Sequence, residues 1–354
     1  MPEIRCPGTE RLYRIHRWPA GKPMSEDVYD LTIVGAGPTG LFATFYAGLR
    51  QMKTKIIDAL EEPGGQVAVL YPEKYIFDVP GYSKILAKDL VKSLVEQAFQ
   101  YHPTVVLGER VTNLHKANGY FELSTDKGTA HYSKAILVAA GVGAFSPNKL
   151  EAKGASGYEG KGVYYFVKDK SIFKDKNLLI VGGGDSAVDW ALNIKEIAKK
   201  ITLVHRRDVF RAHEGSVIAL KNSSVDVKLF YEVRSVMGDG NRITNAVIFD
   251  NRTQAEETLD VDAILVNIGF RADLGPIKDW GLQIDGREIR ANGKMETNIP
   301  GVFVAGDIAG PHDGVKLNLI ATGYAQAALA VNVAKAYVDP NSKIFPGHSS
   351  EMKK

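Results

Sequence analysis

Two glycine-rich turns, and the residues that follow each, can do chemistry in this chain. The first reads Gly35-Ala36-Gly37-Pro38-Thr39-Gly40 and is followed by Asp58. The second reads Gly182-Gly183-Gly184-Asp185-Ser186-Ala187 and is followed by His205-Arg206-Arg207. His205 stands as far from Gly182 as Asp58 stands from Gly35. Glycines so spaced let backbone N–H groups reach a pyrophosphate, and a helix opening there adds partial positive charge. A carboxylate closing the unit binds ribose hydroxyls and repels a 2′-phosphate, whereas arginines attract one. Arg206, Arg207 and Arg211 can surround a single phosphate through bidentate contacts. Ala187 in place of the last glycine is a permitted variant. The chain is therefore expected to hold two nucleotides, one without a 2′-phosphate and one NADP. The plainer readings are a turn with a satisfied Asp58 and a solvated basic turn.

Such turns work only between a strand and a helix. Residues 29–34 read as a strand, 39–51 as a helix and 55–58 as the next strand. The pattern repeats with a strand at 177–181, a helix at 187–199 and a strand at 201–204. These are two βαβ units. Segments 104–138 and 227–266 alternate in short strands and read as an antiparallel insert with a returning strand in each unit. Glycine-rich joints at 141–143 and 269–275 mark the crossings between domains. A strand through Val304, Gly306-Asp307 and an apolar-faced helix at 317–338 return the chain to the first domain. Asp307 can accept hydrogen bonds from ribitol hydroxyls or cap that helix; one geometry serves both. Tyr71, Tyr75 and Tyr82 follow Gly64-Gly65-Gln66 and can stack on a flat ring, but spacing singles out none of them.

The expected fold is α/β with two Rossmann-like dinucleotide-binding domains, the second inserted in the first, each of three-layer ββα type. The expected boundaries are 25–149 with 271–345 for the first domain, 150–270 for the second, and a tail at 346–354. Residues 1–24 are expected to form a poorly ordered extension, with Met24 as a natural start. The 354 residues suit two domains, and 45% hydrophobic with 24% charged residues is a globular composition. A net charge of +3 gives no ground for a nucleic-acid partner. No run approaches the ~18 apolar residues of a membrane helix, so no membrane association is expected. The one cysteine, Cys6, allows neither an internal disulfide nor a metal cluster. No metal is expected, and a cytoplasmic location is. Redox chemistry must come from a bound cofactor.

Together these residues resemble the flavoprotein pyridine nucleotide–disulfide oxidoreductases, and within them the thioredoxin reductase-like group, from about residue 26 onward. Thioredoxin reductases carry a Cys-x-x-Cys pair just before the second turn. Here that segment reads Val163-Tyr164-Tyr165-Phe166-Val167-Lys168-Asp169. Without a dithiol, electrons cannot reach a disulfide by thiol exchange, so thioredoxin reduction is excluded. Leu70-Tyr71-Pro72-Glu73-Lys74, the segment Ala140-Gly141-Val142-Gly143-Ala144-Phe145 and residues 181–190 are similar to the thioredoxin reductase-like ferredoxin/flavodoxin–NADP(+) reductases, which are homodimeric FAD enzymes.

The resemblance implies FAD on the first turn (Gly35, Gly37, Thr39, Gly40), with Asp58 on the adenosine ribose and Gln66 near the flavin. It implies Tyr71 stacked on one flavin face, Val111 and Phe145 in contact with FAD, and Asp307 on the ribitol. It places NADPH on Gly182, Gly184, Asp185, Ser186, Ala187, His205, Arg206, Arg207 and Arg211. It also implies a C-terminal tail lying over the other protomer's flavin, with His348 stacked, Phe345 as its rival and Ser350 nearby. The implied reaction is hydride transfer between NADPH and FAD coupled to one-electron transfer with ferredoxin or flavodoxin, without a catalytic proton carrier. Lys74, Lys168 and Lys170 are candidates for steering an acidic partner. The alternatives are a reductase of a low-molecular-weight disulfide and a nucleotide sensor without turnover. Bacillithiol-type reductases carry a cysteine inside the first turn, where this chain has Thr39.

Overall fold

In a computed structural model, the strand Val28–Val34 enters the first turn through a buried run of apolar and β-branched residues. The structure describes residues 3–5, 12–14, 28–117, 119–311 and 316–348; the side chains of 3–5, 12–14, Ala144, Phe145 and Pro311 lie outside the description. The chain divides into two compact units, Met1–Ala144 with Ala272–Lys354, and Phe145–Arg271.

In the first unit, Val28–Val34 runs parallel to Thr54–Asp58, which runs parallel to Thr104–Leu107. On its other side lies Ala130–Val138, a strand long enough to serve two layers. Its first half pairs antiparallel with Tyr120–Thr125, itself paired with Val111–Ala117; its second half runs parallel to Val302–Val304. Side chains alternate across a strand, so each face feeds its own core. Leu31 and Ile33 pack under the helices α1 (Pro38–Leu49), α3 (Ala87–Phe99) and α6 (Ile320–Val338). Val34, Ile57 and Val138 pack against the β layer with Phe121 and Trp280. A short helix, α2 (Gly65–Leu70), follows the second strand. The three layers are β, β and α, as expected.

The second unit repeats the plan. Asn177–Val181 lies between Lys200–His205 and Ala263–Val266, with Val163–Tyr164 and Asp226–Leu229 at the edges, all parallel. Helices α4 (Asp185–Ile194) and α5 (Glu214–Lys221) cover one face around Trp190 and Leu203. The antiparallel strands Tyr231–Gly238, Ile243–Asp250 and Glu256–Asp260 cover the other.

Several boundaries differ from expectation. Thr104–Leu107 and Asp226–Leu229 are edge strands of the parallel sheets, not the first strands of the inserts. Short β-branched runs read alike in either place, and only the partner strand decides. The helix after the second turn stops at Ile194 rather than near 199, because Lys199 N bonds to Lys176 O and draws the chain into the next strand. The last helix starts at Ile320, leaving Leu317 and Leu319 exposed. Glu3–Arg5 pairs antiparallel with Leu12–Arg14, and the rest of the expected 1–24 extension lies outside the described residues. Among the described residues no helix is long and apolar enough to cross a membrane, and no cluster of metal-ligating side chains occurs.

A buried polar network in the first unit links the strands Val28–Val34, Thr54–Asp58 and Ala130–Val138. Lys55 is 1% exposed; its Nζ lies 3.1 Å from His131 Nδ1 and 4.0 Å from the centre of the Tyr29 ring. His131 Nε2 lies 3.6 Å from Glu109, which accepts the Thr125 hydroxyl at 2.9 Å. Burial and Lys55 push the His131 pKa down to about 4, with Glu109 opposing. The neutral imidazole therefore contributes stability that is full above pH 6.5 and is lost as pH falls through about 4. In urea titrations, His131→Gln, which keeps an acceptor for Lys55, is expected to flatten the acid loss between these values. Parallel stability curves for the two proteins would show that His131 plays no part in it.

Candidate functional site

The first cradle is shaped by contacts only glycine allows. Gly35 has φ +111°, and a Cβ there would lie 2.3 Å from Ala139 O; on Gly40 it would lie 1.8 Å from Gly35 O. Gly37 precedes α1 with no side-chain cap, Pro38 opens the helix and its first turn carries no acid. The helix therefore presents uncapped N–H groups and partial positive charge. A Cβ on Gly65 would come within 2.9 Å of Gly37 Cα, so the Gly64-Gly65 turn closes directly over the loop.

Asp58 holds this turn together. Its Oδ2 accepts from Ala36 N at 2.5 Å and its Oδ1 from Leu60 N at 2.8 Å. Burial raises its pKa against both bonds. Each carboxylate oxygen keeps a second lone pair, so a satisfied turn residue can still accept ribose hydroxyls. Thr39 packs its hydroxyl where a Cβ on Gly306 or Gly323 would fall, at 2.8 and 2.2 Å. Those two glycines let the Gly306 turn and α6 close on the loop.

Gln66 is half-buried at the start of α2, its Nε2 within 3.0 Å of where a Gly141 Cβ would sit. Tyr71 ends α2, and its phenol is pushed up to about 12 by burial, helped by Asp307 and Asp78. Tyr75 and Tyr82 are more exposed, at 45% and 43%, whereas Tyr71 is half-buried. Asp307 is half-buried, its carboxyl raised by burial and lowered by Lys316, whose Nζ also donates to Asp307 O at 2.6 Å. The helix-cap reading of Asp307 fails, because α6 begins only at Ile320 behind Leu319. Val111 turns its side chain into the core beside Trp280, leaving only its backbone for a ligand. The Phe145 side chain and Ser350 lie outside the described residues. Phe345 and His348 are both exposed, with ring centroids 5.5 Å apart and edge-on.

The second cradle repeats the backbone and changes the side chains. A Cβ on Gly182, at φ +150°, would lie 2.3 Å from Asn267 O and 3.1 Å from the Ala187 Cβ. Gly183 rests on the imidazole of His205, which would stand 2.2 Å from a Cβ. That ring is 8% exposed, hydrogen-bonds Val209 O through Nε2 at 3.0 Å and stacks on Phe210 at 5.2 Å. His205 is thus the floor of the loop. Arg206, Arg207 and Arg211 are exposed. Arg211 N donates to Gly183 O at 2.7 Å, and Asp185 Oδ1 accepts from His213 N at 2.8 Å. Asp185 thereby ties the basic segment to α4, while Ser186 is exposed in the helix's first turn. Of the steering candidates, Lys168 is exposed, and Lys74 and Lys170 are half-buried.

Asn267 belongs to the second cradle although no motif marks it. It stands against Gly182 as Ala139 stands against Gly35, and its Oδ1 is buried without a partner among the described residues. The available signal was a polar residue ending an apolar strand at its carboxyl end, where ligands of open α/β sheets bind. The two sites offer anion cradles, hydroxyl acceptors and an aromatic ring. They can bind and orient nucleotides, and a bound group must carry any electrons.

The pattern of one family, Pyridine nucleotide-disulphide oxidoreductase, matches residues 29–334. A protein of Halalkalibacterium halodurans named ferredoxin–NADP reductase is 53% identical over 328 residues, 92% of this chain and 98% of the relative. One of the same name from Sulfurisphaera tokodaii is 53% identical over 327 residues, again 92% and 98%. Among solved structures, Lactococcus lactis thioredoxin reductase superposes with a TM-score of 0.73 at 28% identity, covering 88% of this chain and 99% of its own.

Proposed function

The chain belongs to the pyridine nucleotide-disulphide oxidoreductase family, and we propose that it is a ferredoxin–NADP reductase that binds FAD and NADPH. One observation carries the choice within the family: the relatives bearing that name are 53% identical along nearly their whole length. The lone cysteine agrees, since a thiol relay needs two.

The fit to FAD rests on the first cradle. The face-to-face approach of Gly37 and Gly65 and the uncapped start of α1 suit a pyrophosphate. Asp58 takes the adenosine ribose, Gln66 and Tyr71 lie along the ring system, and Asp307 takes the ribitol. NADPH fits the second cradle, where Arg206 and Arg207 hold the 2′-phosphate, Arg211 is fixed to the loop by its backbone and His205 supports the turn from below. Bound in the first cradle, FAD would supply the chemistry that links a two-electron hydride donor to a one-electron carrier. The residues of this chain orient the two nucleotides and exclude water. None is assigned as an acid or base.

A second copy completes the assembly, with the 346–354 tail of one protomer lying over the flavin of the other. Lys74, Lys168 and Lys170 steer ferredoxin or flavodoxin by charge. The FAD-loaded protein is expected to lose its yellow colour on anaerobic addition of NADPH. A preparation that stays yellow would favour a nucleotide-sensing protein.

A further inference from the structure

Arg50 closes α1 at the end opposite the glycine turn, and its side chain is 7% exposed. Its Nη1 donates to Asn332 Oδ1 on α6 and, at 3.2 Å, to Ile344 O; its Nη2 donates to Lys343 O at 2.8 Å. Burial depresses the guanidinium pKa, and among the described residues only Tyr46 opposes and no carboxylate contributes. A buried charge without a counter-ion is tolerated only where its N–H groups are satisfied. Here two of the three acceptors are main-chain carbonyls near the end of the chain. The segment at 343–344 therefore solvates Arg50, and Arg50 fixes that segment. One residue further on, Phe345 is 65% exposed, and it reaches His348 only edge-on.

We propose that Arg50 is the latch of the C-terminal tail, holding Lys343 and Ile344 against α1 and α6 so that the chain is fixed as far as Ile344. The two acceptors on the tail are backbone atoms, so the pinned register there is set by chain position rather than by side-chain identity. Helix α1 spans about 18 Å and joins the first cradle at one end to the latch at the other. The tail's starting point is thus tied to the helix that opens at the nucleotide turn. What this does to the flavin rests on the reading of the tail as a flavin cover.

Trypsin reads the latch directly, because the bond after Lys343 is the one whose carbonyl Arg50 holds. In the full-length, FAD-loaded protein, cleavage after Lys343 is expected to be about tenfold or more faster in Arg50→Gln than in the wild type. Arg50→Lys should restore part of the protection. Asn332→Ala, which keeps Arg50 and removes one acceptor, reads the same coupling at smaller amplitude if Arg50→Gln folds poorly. Equal cleavage rates in wild type and in both the Arg50→Gln and Asn332→Ala variants would overturn the latch.

A second arm separates the latch from the tail's role. Arg50→Gln is expected to change the rate of flavin reduction by NADPH in the full chain, and to leave it unchanged when residues 345–354 are deleted. Faster cleavage with an unaltered flavin rate would leave the latch standing and remove the tail from the flavin. An effect of equal size in the deleted chain would show that Arg50 acts elsewhere and overturn its assignment as a positioning residue.

Discussion

Replacing Arg206 and Arg207 together by alanine is expected to raise the NADPH concentration for half-maximal flavin reduction by about a hundredfold, with NADH little affected. Hydrogen bonds to charged groups contribute about 1.5–3 kcal/mol each, and each 1.4 kcal/mol is tenfold. Both arginines are exposed, which places them at the low end of that range. NADH lacks the 2′-phosphate and gains nothing from either residue. His205→Ala should behave differently. That imidazole supports Gly183 and stacks on Phe210, so its loss should weaken NADPH and NADH alike. Steady-state titration of each variant with both nucleotides distinguishes the two effects. If the arginine variant loses NADPH and NADH equally, the phosphate does not lie there.

Gly40→Ala is expected to yield a protein that is colourless or nearly so. Its Cβ would stand 1.8 Å from Gly35 O, a backbone atom that cannot swing aside. Relief requires the turn to open or α1 to tilt, and either movement spoils the backbone cradle at once. Overpacking of this kind costs about 1–3 kcal/mol or more. Gly293→Ala is the control, because among the described residues nothing lies within 4 Å of its Cβ, and its φ is unstrained. It should load flavin as the wild type does. The flavin-to-protein ratio from absorbance is the readout, and a fully yellow Gly40→Ala protein would remove FAD from the first turn.

The βαβ units are legible in the sequence because their glycines answer to hard sterics, at Gly35 against Ala139 and at Gly182 against Asn267. The family resemblance read from the same motifs agrees with the relatives found. What sequence did not settle was direction and partner. Spacing placed His205 opposite Asp58 but could not show that its ring turns inward. Asp307 stood before a helix whose start lay later than the apolar pattern suggested. Thr104–Leu107 became a parallel edge strand because Thr54–Asp58 lay free beside it, which short-range alternation does not encode. Arg50 lies inside the stretch 39–51 that reads as a helix, with nothing local to set it apart. Its acceptors lie on Asn332, Lys343 and Ile344, almost the whole chain away, and no local pattern reports them.

The central claim is that electrons leave NADPH through one bound flavin to a one-electron carrier without a thiol relay. It is tested most directly by mixing the FAD-loaded protein anaerobically with NADPH and a ferredoxin, with cytochrome c as the final acceptor, before and after alkylation of Cys6. The account predicts that cytochrome c reduction depends on ferredoxin and survives alkylation. Cytochrome c that stays oxidised while NADPH bleaches the flavin, or a reaction abolished by alkylation, would contradict it.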